Sequence, residues 1–418
     1  MSNEKIKVEL SFSEQYLPPG EPSTVYLMVR LHQPKIDLKG TRMPINTSFV
    51  LDRSGSMGGG KLQYTKQAVE FAISHLDPDD YASVVLFDDD IDVLAPHSKV
   101  THKDSIIQLI RQVFARGTTN LSGGLLKGME LVKDVAGEDR VNRVILLTDG
   151  LANQGVTEPT KLVKMVKEIK SQNISVSAMG VGEGFAEDLL VDMAEAGNGN
   201  FYYIASPDEI PGIFEQELSG LLSVTGQNLS LSMAPRNNVE VTRFLGYPAQ
   251  MVDGTLHINL PDMYNGDTKT VLIETIVYPT DKGKMPLADI NFNYTDVTGD
   301  LTTIKYDISA EIEVTDDPAC LKSGPNLQVM KEVEIFRTSE VQEDAMQDSD
   351  AGNYDKARQK LSDQVERLRK IYRDTNDDEV KEEMEKLSRD SERMAPELFD
   401  SMARKKMKMD SYEHRKKR

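Results

Sequence analysis

Phe49-Val50-Leu51-Asp52-Arg53-Ser54-Gly55-Ser56-Met57 is the stretch on which the fold turns. Its apolar start continues a run from Ile45 and reads as a strand buried on both faces, as in a parallel sheet covered by helices. The run ends in a carboxylate and two hydroxyls at alternate positions in a Gly-containing turn. Oxygens spaced in this way can converge on one point, at the carboxyl end of a strand, where open α/β sheets bind ligands. Hard cations prefer such oxygen donors.

Outward from this stretch, apolar runs alternate with helical periods. Strands are expected at 45–51, 82–87, 144–147, 174–179 and 201–204. Amphipathic helices are expected at 62–76, 103–114, 121–135, 160–169, 186–194 and 207–222. Such alternation implies a mainly parallel, doubly wound sheet with helices on both faces. Two runs flanking Asp88-Asp89-Asp90 suggest a hairpin that adds one antiparallel edge strand. Two more oxygen donors stand at equivalent strand ends. Thr119 sits in Arg116-Gly117-Thr118-Thr119-Asn120, just before a helix, and Asp149 closes Val144-Ile145-Leu146-Leu147-Thr148-Asp149-Gly150.

Asp52-x-Ser54-x-Ser56, then Thr119, then Asp149-Gly150 resemble, in order and spacing, the metal-ion-dependent adhesion site of a von Willebrand factor A domain, here of a prokaryotic intracellular type. The likeness covers about residues 44–224. Asp-x-Ser-x-Ser alone serves equally well as helix caps; the composite motif is the specific signal. The resemblance implies that Asp52, Ser54, Ser56, Thr119 and Asp149 hold Mg²⁺, with Ca²⁺ or Mn²⁺ as alternatives, some carboxylates acting through water. Two carboxylates and several neutral hydroxyls leave such a cation undercompensated, with a coordination position for a Glu or Asp carboxylate of a partner protein. The implied function is a metal-dependent protein-interaction module, a scaffold or adaptor, and not an enzyme. The alternative is an accessory subunit of an AAA+ ATPase complex of the MoxR or chelatase type; the chain has no Walker motif of its own.

Other candidates read differently. Asp88-Asp89-Asp90 is expected to be a solvated turn in preference to a second cation site. His97 and His102 have no partner at zinc-ligand spacing. The glycine run Gly180-Val181-Gly182-Glu183-Gly184 resembles a dinucleotide loop, but the family resemblance implies an ordinary strand-to-helix turn, and no P-loop lysine is present.

Around the α/β segment the period changes. Residues 1–36 contain two alternating strands that either complete a later β module or cap the α/β sheet, the former being favoured, and 34–42 reads as a linker. Residues 225–316 alternate with Gly, Pro and Asn-Gly punctuation, as expected of an antiparallel β-sandwich. The α/β domain is therefore inserted in, or followed by, that sandwich. Helical stripes over 326–396 suggest a small bundle, and 397–418 a basic tail, solvated by preference, with contact to the acidic body or to a nucleic acid or anionic membrane as the alternatives.

The 418 residues include 39% hydrophobic and 28% charged residues, with a net charge of −19, which excludes a whole-chain nucleic-acid binder. The single cysteine, Cys320, forms no intramolecular disulfide. The start lacks the apolar segment of a signal peptide, and no run approaches the length of a membrane span, so a cytoplasmic location is expected.

Overall fold

Strands β1 (Lys7–Phe12), β2 (Tyr16–Leu17) and β3 (Ser23–His32) come first in the chain but belong to a unit completed only after residue 225. The computed structural model describes residues 5–37, 43–137, 139–149, 152–182, 184–298 and 301–416. Residues 38–42 of the expected linker, Gly150, Glu183, Lys417 and Arg418 lie outside them. The chain divides into an α/β unit, Asp37–Thr225 with Val297–Leu301, and a second unit of Met1–Ile36, Gly226–Asp296 and Thr302–Arg418.

The α/β unit opens with β4 (Ile45–Asp52), a 3-10 turn at Gly55–Met57 and α1 (Gly60–His75). The hairpin β5 (Tyr81–Phe87) and β6 (Ile91–Lys99) follows, then α2 (Lys103–Arg111), α3 (Leu121–Lys133) and β7 (Val141–Thr148). It closes with α4 (Pro159–Lys170), β8 (Ser175–Val181), α5 (Glu187–Ala196), β9 (Asn198–Ile204) and α6 (Ile210–Leu222). The sheet order is β6-β5-β4-β7-β8-β9, parallel except for the β5–β6 edge. Every residue of β4, β7 and β8 is buried, as strands covered on both faces require. At the centre α3 approaches so closely that a Cβ on Gly128 would lie 2.4 Å from Val50 Cγ2, so glycine there sets the helix–sheet distance.

His97 on the edge strand is a packing residue. Its Nε2 lies 2.8 Å from Asn46 Oδ1 and its Nδ1 3.1 Å from Ser83 Oγ. Burial pushes its pKa down to about 4 from an ordinary 6.5, so it is neutral in the folded chain. Below its ordinary value the unfolded chain takes up a proton that the folded chain refuses. This contribution is therefore complete above pH 6.5 and is lost as pH falls toward 4. His97→Gln should flatten the dependence, giving a smaller difference in thermal midpoint between neutrality and about pH 5 than the parent shows. Equal differences in both proteins would show that His97 does not carry it.

The second unit adds β10 (Val224–Pro235), β11 (Val239–Leu245), β12 (Ala249–Val252), β13 (Thr255–Asn259) and β14 (Met263–Tyr264). These are followed by β15 (Thr268–Val277), β16 (Gly283–Asp296) and β17 (Thr302–Val314). One sheet runs β1-β3-β15-β11. The other runs β12-β13-β10-β16-β17-β2, with β14 on β10. All pairings between β1, β3, β15 and β11 are antiparallel, and the short β2 joins β17 in parallel. Side chains from both sheets, among them Val25, Leu27, Val271, Ile273, Leu231, Ile290, Phe292 and Ile312, merge in one apolar core. β3 pairs with β15 from Ser23↔Val277 to His32↔Thr268, so the α/β unit interrupts the chain of this one.

Helices α7 (Pro318–Leu321), α8 (Leu327–Asp350), α9 (Tyr354–Thr375), α10 (Asp378–Arg393) and α11 (Ser401–Lys416) complete it. Val329, Val333 and Phe336 of α8 pack on Tyr26, Met28, Leu245 and Leu272 of the first sheet. α8 to α11 also share a core of their own, with Ala345, Leu361, Leu368, Val380 and Met407, and through α8 they join the β strands in one unit. One correction concerns the basic end, expected to be solvated in preference to lying on the acidic body. Residues 401–416 form α11, because its cations meet acidic residues on another helix, Lys408 with Glu343 at 2.6 Å and Arg404 with Asp350 at 2.9 Å, while His414 Nε2 lies 2.8 Å from Glu383 Oε1. Met407 and Tyr412 are buried beside them.

Candidate functional site

Asp52 ends the fully buried central strand, and its side chain caps the turn that follows. Oδ1 accepts from the Ser54 amide at 2.8 Å and Oδ2 accepts from Thr148 Oγ1 at 2.6 Å. Burial pushes its carboxyl up to about 6, against the opposing hydrogen bonds from Ser54 and Thr148. A carboxylate this deep is short of positive charge.

From there a run of polar contacts leads outward. Ser54 Oγ lies 3.0 Å from Ser56 Oγ, and Ser56 Oγ donates to Asp149 Oδ1 at 2.8 Å. Asp149, just past β7, is buried, and its Oδ2 accepts from Lys61 Nζ at 2.5 Å. Asp52, Ser54, Ser56 and Asp149 thus stand together, spanning the ends of β4 and β7. Thr119 is brought near by its backbone alone. Gly117 O accepts from Gly55 N at 3.1 Å, and Thr119 N donates to Asn153 Oδ1 at 2.7 Å. The Thr119 hydroxyl makes no hydrogen bond among the described residues.

The loops around this run are clamped by Asp88. The acidic triplet was expected to be solvated, and Asp89 and Asp90 are exposed, but Asp88 is buried. It pairs with Arg53 Nε at 2.8 Å and Arg116 Nε at 2.7 Å, while its backbone oxygen accepts from Asn120 N at 3.0 Å. Burial alone would raise its pKa; the Asp90 amide and the two guanidinium groups outweigh it and hold the carboxyl below the ordinary range. One carboxylate thereby fixes the Asp52 and Thr119 loops together.

Sequence reasoning missed Lys61, Thr148 and the Arg53–Asp88–Arg116 clamp. Arg53 occupies the variable position of Asp-x-Ser and Thr148 directly precedes Asp149, so each was adjacent to a signal without being one. The donor set fits a hard divalent cation: two carboxylates, the two serine hydroxyls and, one loop away, Thr119. An ammonium already sits on one of these carboxylates. Among the described residues no group of three or more His, Cys, Asp or Glu is gathered to hold a metal ion, here or elsewhere, so hydroxyls are indispensable to this reading.

Residues 47–216 match the model of the von Willebrand factor type A domain. The chain is 26% identical over 313 residues to the protein sll0103 of Synechocystis sp., covering 72% of this chain and 74% of that one. It is 30% identical over 194 residues to inter-alpha-trypsin inhibitor heavy chain H1 of Sus scrofa, covering 44% of this chain and 22% of that one. The solved structure of a von Willebrand factor type A protein from Catenulispora acidiphila superposes with a TM-score of 0.70 at 15% identity, covering 90% and 89% of the two chains, a likeness of fold.

Proposed function

With residues 47–216 forming a von Willebrand factor type A domain, we propose that this protein is a cation-dependent protein-binding module, a scaffold or adaptor that captures an acidic residue of a partner. The observation that carries the proposal is the continuous run Asp52–Ser54–Ser56–Asp149 at the carboxyl edge of the sheet. Ser54, Ser56, Thr119, Asp52 and Asp149 would hold the cation, Mg²⁺ by the hardness of the donors, with Ca²⁺ or Mn²⁺ also suited. Bound there, it would supply a positive centre to which a Glu or Asp carboxylate is drawn.

The residues favour binding over turnover. Asp52 is engaged by the Ser54 amide and Thr148, and Asp149 by Ser56 and Lys61, so neither carboxylate is placed as a general base. We read the two-sheet unit as a β-sandwich that carries the inserted domain. Among the described residues no helix is long and apolar enough to cross a membrane. With its lone cysteine, the chain suits a reducing compartment, and we assign it to the cytoplasm.

Calorimetric titration with Mn²⁺ tests the site. The double substitution Ser54→Ala with Ser56→Ala should weaken binding by roughly tenfold or more. In parallel, capture of partners from native extract should require Mg²⁺ and vanish in EDTA. Undiminished Mn²⁺ affinity in the double variant would place the cation elsewhere, and capture unchanged by EDTA would place the partner elsewhere.

A further inference from the structure

Lys61 lies in the first turn of α1, and its side chain reaches to the oxygen run instead of into solvent. Its stem crosses Gly182, just past β8, whose φ is +74°; a Cβ there would come within 2.9 Å of Lys61 Cε. The left-handed glycine is therefore the groove through which the lysine passes, and the turn has a use beyond reversing the chain. At the end of that path, Nζ donates to Asp149 Oδ2, on a side chain with no solvent exposure, while Lys61 itself is 29% exposed. The other Asp149 oxygen is held by Ser56. The ammonium thus stands at the edge of the group of oxygens proposed above to receive a divalent cation.

Resting on that reading of the site, we propose that Lys61 is a tethered counter-cation: it neutralises Asp149 in the cation-free protein and competes, from within the chain, with the incoming divalent ion. A buried carboxylate needs a positive partner in both states. Like charges a few ångströms apart repel strongly in so sheltered a place, so a divalent ion gains the site only at the expense of the ammonium. Lys61 can yield because it is partly exposed and carried on four rotatable bonds. The affinity of the site would then be set below what its oxygens alone allow, which makes binding responsive to cation concentration.

The test uses the full chain and three variants. Lys61→Met keeps the stem over Gly182 and removes the charge; Ser54→Ala with Ser56→Ala reports on the site itself. Mn²⁺ titration should show Lys61→Met binding roughly tenfold or more tighter than the parent, and Lys61→Arg near the parent. In EDTA the thermal midpoint of Lys61→Met should fall below that of the parent, and saturating Mn²⁺ should raise it by more than it raises the parent's. Affinity unchanged or weakened in Lys61→Met, or an EDTA midpoint equal to the parent's, overturns the counter-cation role. If the serine double variant binds Mn²⁺ as the parent does, the proposed site itself fails, a result separable from the first.

Discussion

Replacing Glu217 by Ala should cost the α/β unit about 3–5 kcal/mol of folding stability. Glu217 projects from α6 into the sheet with no solvent exposure, opposite Arg143, which is as deeply buried, at 3.8 Å. Its Oε1 accepts from Ser177 Oγ at 2.6 Å, and its Oε2 accepts from Asn200 Nδ2 at 2.8 Å and Tyr202 OH at 2.9 Å. One carboxylate therefore ties α6 to β7, β8 and β9. Truncation removes the acceptor these groups share, at a place with no solvent exposure, and the desolvation cost of the guanidinium is felt. Glu217→Gln retains the shape and most of the hydrogen bonds, and should lose less. Urea unfolding of both variants measures this. A Glu217→Ala midpoint within the spread of surface substitutions would mean that apolar packing, not the carboxylate, holds α6.

Asp52→Asn should separate binding from stability. The amide reproduces the acceptor for Ser54 N and lets Thr148 turn its hydroxyl to accept, so the turn after β4 keeps its form. A neutral side chain is also less costly than a carboxylate at the fully buried end of β4. Thermal stability in EDTA should hold or rise. Mn²⁺ affinity should fall roughly a hundredfold, about 3 kcal/mol, because a charged donor is lost. Calorimetric titration and thermal unfolding on the same preparation decide. A drop in both would make Asp52 a structural residue of the turn, and no drop in affinity would remove it from the cation-binding set.

The α/β alternation was legible because its signals are local. Ile45 to Leu51 is apolar throughout, and the strand found there is buried at every position. The Val84 and Ile91 runs were short, yet the Asp triplet between them placed the hairpin, with Phe87 opposite Ile91. Within the triplet the same pattern misled: three adjacent carboxylates look solvated, and only the approach of Arg53 and Arg116 makes burial of Asp88 affordable. The basic end misled in a similar way. Its charges suggested a tail, while the acidic residues that receive them, Glu343 and Asp350, lie 65 and 54 positions away in the chain.

Periodicity within a segment dictated the helices and strands, and alternate oxygens after an apolar strand marked out Asp52, Ser54 and Ser56. Only the tertiary structure decided that Val25 and Leu27 share a core with Val271 and Ile273, that Lys61 lies on Asp149, and that Glu217 meets Arg143. The physical reason is that a repeat of two or of 3.6 residues tells which face of an element must be covered. Which distant element covers it, and which charge answers a buried charge, is settled by how the whole chain closes.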